Sequence, residues 1–173
     1  MSGALIVTAA IGKRDLAWLD AERREYFPPE RNFLTAHLTM FHALPPSCED
    51  EAARFLSELA RYHAPPRAEI PEVMSLGRGV AYRVRSEELQ RLRGMIADRF
   101  EGLLSAQDAG GWRPHVTIQN KVKPGTAKVL LAAKREAFEP RTLDIVGLTL
   151  NRYLGGPWEE IGTWRFRGQA RVS

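Results

Sequence analysis

Apolar residues in this chain recur with two periods, and the switches between them mark its elements. Ala4 to Ile11 is a nearly continuous apolar run, rich in branched side chains and closed by Gly12, the pattern of a buried strand and a natural centre for a sheet. From Asp15 the spacing turns helical, with Leu16, Leu19 and Tyr26 set among Arg and Glu until Pro28-Pro29 stop it. A short alternating stretch from Leu34 to Phe41 follows and ends at Leu44-Pro45-Pro46. Ser47, with Asp50 three residues on, predicts an N-cap for a helix carrying Phe55, Leu56, Leu59 and Tyr62.

Pro65-Pro66 break that helix. Arg67 to Leu76 and Val80 to Val84, joined through Gly77-Arg78-Gly79, read as a hairpin. Ser86 then opens the most regular helix, with Leu89, Leu92, Ile96, Phe100 and Leu103 at steps of three and four. After Gly110-Gly111 a second alternating stretch, Arg113 to Gln119, leads to Pro124-Gly125 and a helix from about Thr126 to Phe138 with Val129, Leu130 and Ala133 inward. Leu143 to Leu154 and Trp158 to Phe166 predict two long strands joined at Gly155-Gly156-Pro157.

The two alternating stretches contain the same phrase. His37-Leu38-Thr39-Met40 and His115-Val116-Thr117-Ile118 each place a His and a Thr two apart among apolar residues, so a strand turns the polar pair to one face and the apolar pair to the other. The phrases lie between helices at similar places in two halves of the chain, and each strand ends near proline. That arrangement predicts two related halves packed with the phrases facing each other. Nothing in the sequence reads as a linker, so residues 1–173 are taken as a single domain.

Composition narrows the possibilities. Hydrophobic residues make up 44% of the 173 and charged residues 27%, which leaves no compositional case for disorder or a fibre. The opening apolar run is too short to span a bilayer and has no basic stretch before it, so a cytoplasmic protein is expected, taken as a monomer. The single Cys48 excludes an internal disulfide and a multi-cysteine metal site. His37 and His42 would face opposite sides of a strand, and nothing else suggests a metal or a cofactor. A net charge of +4, carried mostly by Arg, permits a phosphate-bearing partner, because the planar guanidinium suits phosphate and stacks on bases.

Two imidazoles on opposite sides of a phosphorus suit in-line displacement near neutral pH, one taking a proton and the other giving one. Hydroxyl donors beside each would stabilise the charge that gathers on the non-bridging oxygens, a role that fits Thr39 and Thr117. Phe41, on the same predicted strand face as His37, could stack a base or seal the core. Arg113, two before His115, could clamp phosphate or ribose or remain on the surface. Tyr82 and Arg83 fall in a strand that could reach the cleft, whereas Trp112, Tyr153, Trp158 and Trp164 read as core or hairpin residues.

With Arg113-Pro114 before the second phrase, these paired motifs resemble the 2H phosphoesterase superfamily, in particular its LigT-like, 2′-5′ RNA ligase-type branch. The resemblance implies an α+β, bilobal fold with two pseudo-symmetric lobes, each an antiparallel sheet with flanking helices, around a central cleft. It also implies metal-independent chemistry on an RNA end or nucleotide substrate: opening 2′,3′-cyclic phosphates, cleaving 2′-5′ linkages, or joining them in reverse. His37 and His115 would be the acid–base pair, and Thr39 and Thr117 the phosphate donors. The lead-in Asn32-Phe33-Leu34-Thr35-Ala36 lacks the aromatic-rich segment associated with LigT, which leaves substrate identity open. An RNA-binding module without turnover, or an enzyme for a non-RNA phosphoester, would share these features.

Overall fold

A computed structural model describes residues 3–169. Among them are seven strands, β1 (Leu5–Ile11), β2 (Leu38–Leu44), β3 (Arg67–Ser75), β4 (Val80–Arg85), β5 (His115–Gln119), β6 (Arg141–Tyr153) and β7 (Trp158–Arg165). The helices are α1 (Lys13–Tyr26), α2 (Glu49–Tyr62), α3 (Glu87–Arg99), the single turn α4 (Ala106–Ala109) and α5 (Pro124–Ala137). All strand pairings are antiparallel, in the order β2-β1-β6-β3-β4-β5 with β7 also on β6.

Strand β6 is long enough to serve two groups of strands. Its first residues, Arg141–Asp144, pair with β3, and from Ile145 onward it pairs with β1 and β7. The result is an α+β fold with two four-stranded antiparallel halves, β2-β1-β6-β7 and β6-β3-β4-β5, that share one strand. Helix α2 covers β6 and β7, α1 packs on β5, and α5 packs on β3 and β4. Strands β2 and β5 lie at opposite ends of the strand order, yet they touch. The sheet therefore curls until its two terminal strands, which carry the two phrases, meet.

The apolar pattern explains most of this. Six of the seven residues of β1 are buried, as suits a central strand paired on both edges, by β2 and β6. Ser86 caps α3, its Oγ accepting from Leu89 N at 3.1 Å. Four readings need correction. Ser47 does not cap α2: Pro46–Cys48 form a tight 3₁₀ turn and the helix starts at Glu49 without a side-chain cap. Val129 and Ala133 are exposed, because α5 buries Ala127 and Leu130 instead. Leu103 lies past the end of α3 and is exposed. Phe41, a candidate base-stacking residue, is 0% exposed, with the Arg93 guanidinium 4.5 Å above its ring, so no face is left for a base.

The cause of the Phe41 error is a β-bulge. Thr8 of β1 pairs with Thr39, and the next residue, Val7, pairs with Phe41. Met40 is thus an extra residue that inverts the phase of the strand beyond it. Met40 and Phe41 are consecutive and both fully buried, which strict alternation does not allow.

Candidate active site

The bulge recurs in the second phrase. Ala81 of β4 pairs with Thr117, and the next residue, Val80, pairs with Gln119, so Ile118 is the extra residue. Ile118 and Gln119 are again buried consecutively. In both phrases the His and Thr are half-buried on one face, the second residue is buried on the other, and the fourth forms the bulge. The apolar fourth place of each phrase therefore fills an irregular position where the strand turns away from the site.

Each histidine is also held in the same way. His37 Nδ1 donates to the carbonyl of Thr35 at 2.8 Å, and His115 Nδ1 donates to that of Arg113 at 2.7 Å. A carbonyl only accepts, so the neutral rings carry their proton on Nδ1 and leave Nε2 for proton exchange. Arg113 thereby contributes its backbone to the site, while its side chain is exposed. No hydrogen bond links the hydroxyl of Thr39 or Thr117 to another protein group among the described residues.

Helix α1 ties the two phrases together, a role the sequence reading missed. Asp20 Oδ1 accepts from the backbone N–H of Ala36 at 2.9 Å, just before His37. Three residues on, Arg23 donates from Nη1 to the Thr117 carbonyl at 3.3 Å and from Nε to Asn32 Oδ1 at 2.8 Å. Arg23 is 4% exposed, its guanidinium 4.1 Å from the Phe27 ring. Burial lowers its pKa to about 10 although Asp20 opposes the shift, so it stays cationic. One signal was available: Arg23 falls in phase with Leu16 and Leu19, where an apolar residue is expected.

On the other side, the segment leading into the second phrase straps the first strand. Asp108 accepts from the backbone N–H groups of His42 and Ala43 and lies 3.1 Å from His42 Nδ1. Arg93 donates to the carbonyls of Met40 and Asp108, and Trp112 Nε1 donates to that of Thr39 at 3.0 Å. The middle strand divides its pair: Arg83 stands opposite His115 in register and donates to Glu72. Tyr82 is buried and donates to Glu22 at 2.6 Å; burial first, then that bond, raises its pKa far beyond the ordinary phenol value.

Trp158, taken from the sequence as a core or hairpin residue, has its ring centroid 4.6 Å from that of His37 at 57°. It stands at the mouth of a groove of about 840 Å³ that includes His37 and runs over β1, β6 and β7 towards Gly12. Among the described residues no group of three or more His, Cys, Asp or Glu is placed to hold a metal ion, and no helix is long and apolar enough to cross a membrane.

Burial lowers the pKa of His37 to about 4. The Thr35 carbonyl opposes this, while the positive charges of Arg23, His115 and His42 add to it. Because the folded pKa lies below the unfolded value, the unfolded chain binds the proton more readily between pH 4 and 6.5. The stability from keeping His37 neutral is complete above pH 6.5 and is lost as pH falls towards 4. At about 1.4 kcal/mol per pKa unit the loss amounts to at most roughly 3 kcal/mol. Urea titrations across that range should show the decline in the wild type and a smaller one in His37→Gln; equal slopes would refute it.

The phrases, with their carbonyl-held imidazoles, stand on the two terminal strands of the curled antiparallel sheet. The model of the 2′-5′ RNA ligase superfamily matches residues 13–157, and the chain belongs to that family as a LigT-like 2H phosphoesterase. The fold is similar to that of TT0787 from Thermus thermophilus, with a TM-score of 0.66 at 17% identity over 96% of this chain and 100% of that one. It is also similar to Escherichia coli LigT complexed with 3′-AMP, with a TM-score of 0.57 at 15% identity over 98% and 100%. A structure described as a phosphoesterase gives 0.58 at 15% over 96% and 99%. No curated protein matches the sequence.

Proposed function

We propose that this chain is a metal-independent phosphodiesterase acting on a nucleotide or RNA end that bears a 2′,3′-cyclic phosphate or a 2′-5′ linkage. The observation that carries the reading is the duplicated device itself. Two imidazoles, each fixed through Nδ1 by the carbonyl two residues earlier, have a threonine in phase and come from strands that the sheet closure brings into contact. Nucleotide substrates are supported by the structures of LigT with 3′-AMP, NADP+ and ATP.

The two histidines are not equivalent. The depressed pKa of His37 suits it to be the base in hydrolysis: its Nε2 takes a proton from water as the water oxygen attacks phosphorus. His115 Nε2–H then protonates the ribose oxygen as its bond to phosphorus breaks, giving a phosphomonoester. Thr39 and Thr117 donate to the non-bridging oxygens, and buried Arg23 adds a fixed positive charge beneath them.

Hydrolysis of 2′,3′-cyclic nucleotides followed by phosphorus NMR in EDTA tests the reading. Turnover should persist in the chelator, with kcat/KM falling on the acid side near pH 4. Failure to turn over cyclic and 2′-5′ substrates alike, or loss of activity restored by a divalent ion, would exclude the mechanism.

A further inference from the structure

The register of the strands places four threonines in a row. Thr39 of β2 pairs with Thr8 of β1, Thr8 with Thr149 of β6, and Thr149 with Thr163 of β7. Residues directly opposite in antiparallel strands share a face, so one hydroxyl per strand runs from the phosphate donor Thr39 along the floor of the groove beside His37. At about 4.8 Å per strand, Thr149 lies roughly 10 Å from Thr39 and Thr163 roughly 14 Å, a distance that a ribose and a base fill.

This floor is polar although it is enclosed. Thr8, Thr149 and Asn151 are 6%, 8% and 7% exposed. Thr149 Oγ1 and Thr163 Oγ1 are 2.9 Å apart, and Thr163 donates to Glu160 Oε1 at 3.1 Å. Among the described residues Asn151 Nδ2 makes two long contacts, each 3.4 Å, to the Ile6 carbonyl and to Thr8 Oγ1, which leaves its amide under-used. The rim is aromatic: Trp158 leans on His37, and Phe33, in the loop before the first phrase, is 62% exposed beside the groove. A large apolar side chain held at a polar groove next to a phosphate site suits a flat ring.

We infer that this groove is the nucleoside subsite of the enzyme, with the base on Phe33 and Trp158, the ribose over Thr8, and Asn151 and Glu160 reading the base edge. A carboxylate only accepts hydrogen bonds. Glu160 therefore favours bases that present an amino group over uracil, whose N3–H stands between two carbonyls that a carboxylate repels. The inference relies on the proposed function only for the phosphate position at His37.

Calorimetry with adenosine and uridine 3′-monophosphates and with inorganic phosphate, on the wild type, Phe33→Ala and Glu160→Gln, tests it. The wild type should bind the adenosine nucleotide more tightly than the uridine one. Phe33→Ala should weaken nucleotide relative to phosphate binding by roughly tenfold, and Glu160→Gln should bring the adenosine-to-uridine ratio close to one. Absence of nucleotide binding, unchanged affinity in Phe33→Ala or an unchanged ratio in Glu160→Gln would overturn the subsite. Hydrolysis of ethylene glycol cyclic phosphate, which has no base, reports on the catalytic reading separately: if it is cleaved while the variants bind like the wild type, the chemistry stands and the subsite falls.

Discussion

Replacing either His37 or His115 by Ala should lower kcat on a 2′,3′-cyclic nucleotide by roughly 10² to 10⁴, the usual contribution of a positioned acid or base. The two variants should differ in their pH dependence. With His37 gone, the acid limb near pH 4 disappears and residual turnover rises with hydroxide; with His115 gone, a substrate whose leaving oxygen needs no proton should recover most of the rate. A nitrophenyl ester provides that test. The double variant should be little slower than the worse single one, since groups that act as a unit are not additive. Both single variants retaining full turnover would remove the paired-histidine mechanism.

Asp108→Ala should be the most damaging substitution away from the reacting centre. Its side chain is fully buried and serves the His42 and Ala43 N–H groups and the His42 imidazole. Removing it leaves the His42 and Ala43 N–H groups without their acceptor, at a cost of roughly 1–3 kcal/mol. The urea midpoint should fall at an unchanged m-value. Burial raises the carboxyl pKa, but the side-chain bond of His42 and the N–H groups of His42 and Ala43 more than offset it, holding the pKa below the ordinary value. The stability from Asp108 is therefore complete above the unfolded carboxylate pKa and lost as pH falls through the folded one. Because the same strap runs through Trp112 to Thr39, kcat should drop even at temperatures where the variant is folded. A stability within about 0.5 kcal/mol of wild type would show the strap to be energetically idle.

Much of the site can be read along the chain because the relevant signal is local. A His and a Thr at a spacing of two share a strand face whatever the strand pairs with, so half-burial of His37, Thr39, His115 and Thr117 follows from the phrases alone. Phe41 failed because a bulge is a property of a strand pair. Its phase depends on β1 opposite, and no residue within the phrase announces it. Trp158 was assigned to the core by its type, yet the pairing of β7 with β6 carries it to His37, 121 residues away in sequence. Arg23 and Asp20 left a fainter trace, charged positions close to an apolar helical stripe, whose meaning depends on what the helix packs against.

By itself the sequence determined the element order, the α+β character and the repeated phrase, because these depend on periods of two and about 3.6 and on the identity of single residues. Only the tertiary structure decided the rest. The length of β6 lets one strand join two half-sheets, their curl brings β2 against β5, and the register lines up Thr39, Thr8, Thr149 and Thr163. These relations join residues far apart along the chain, and hydrogen-bond register and packing between strands set them, not the local sequence.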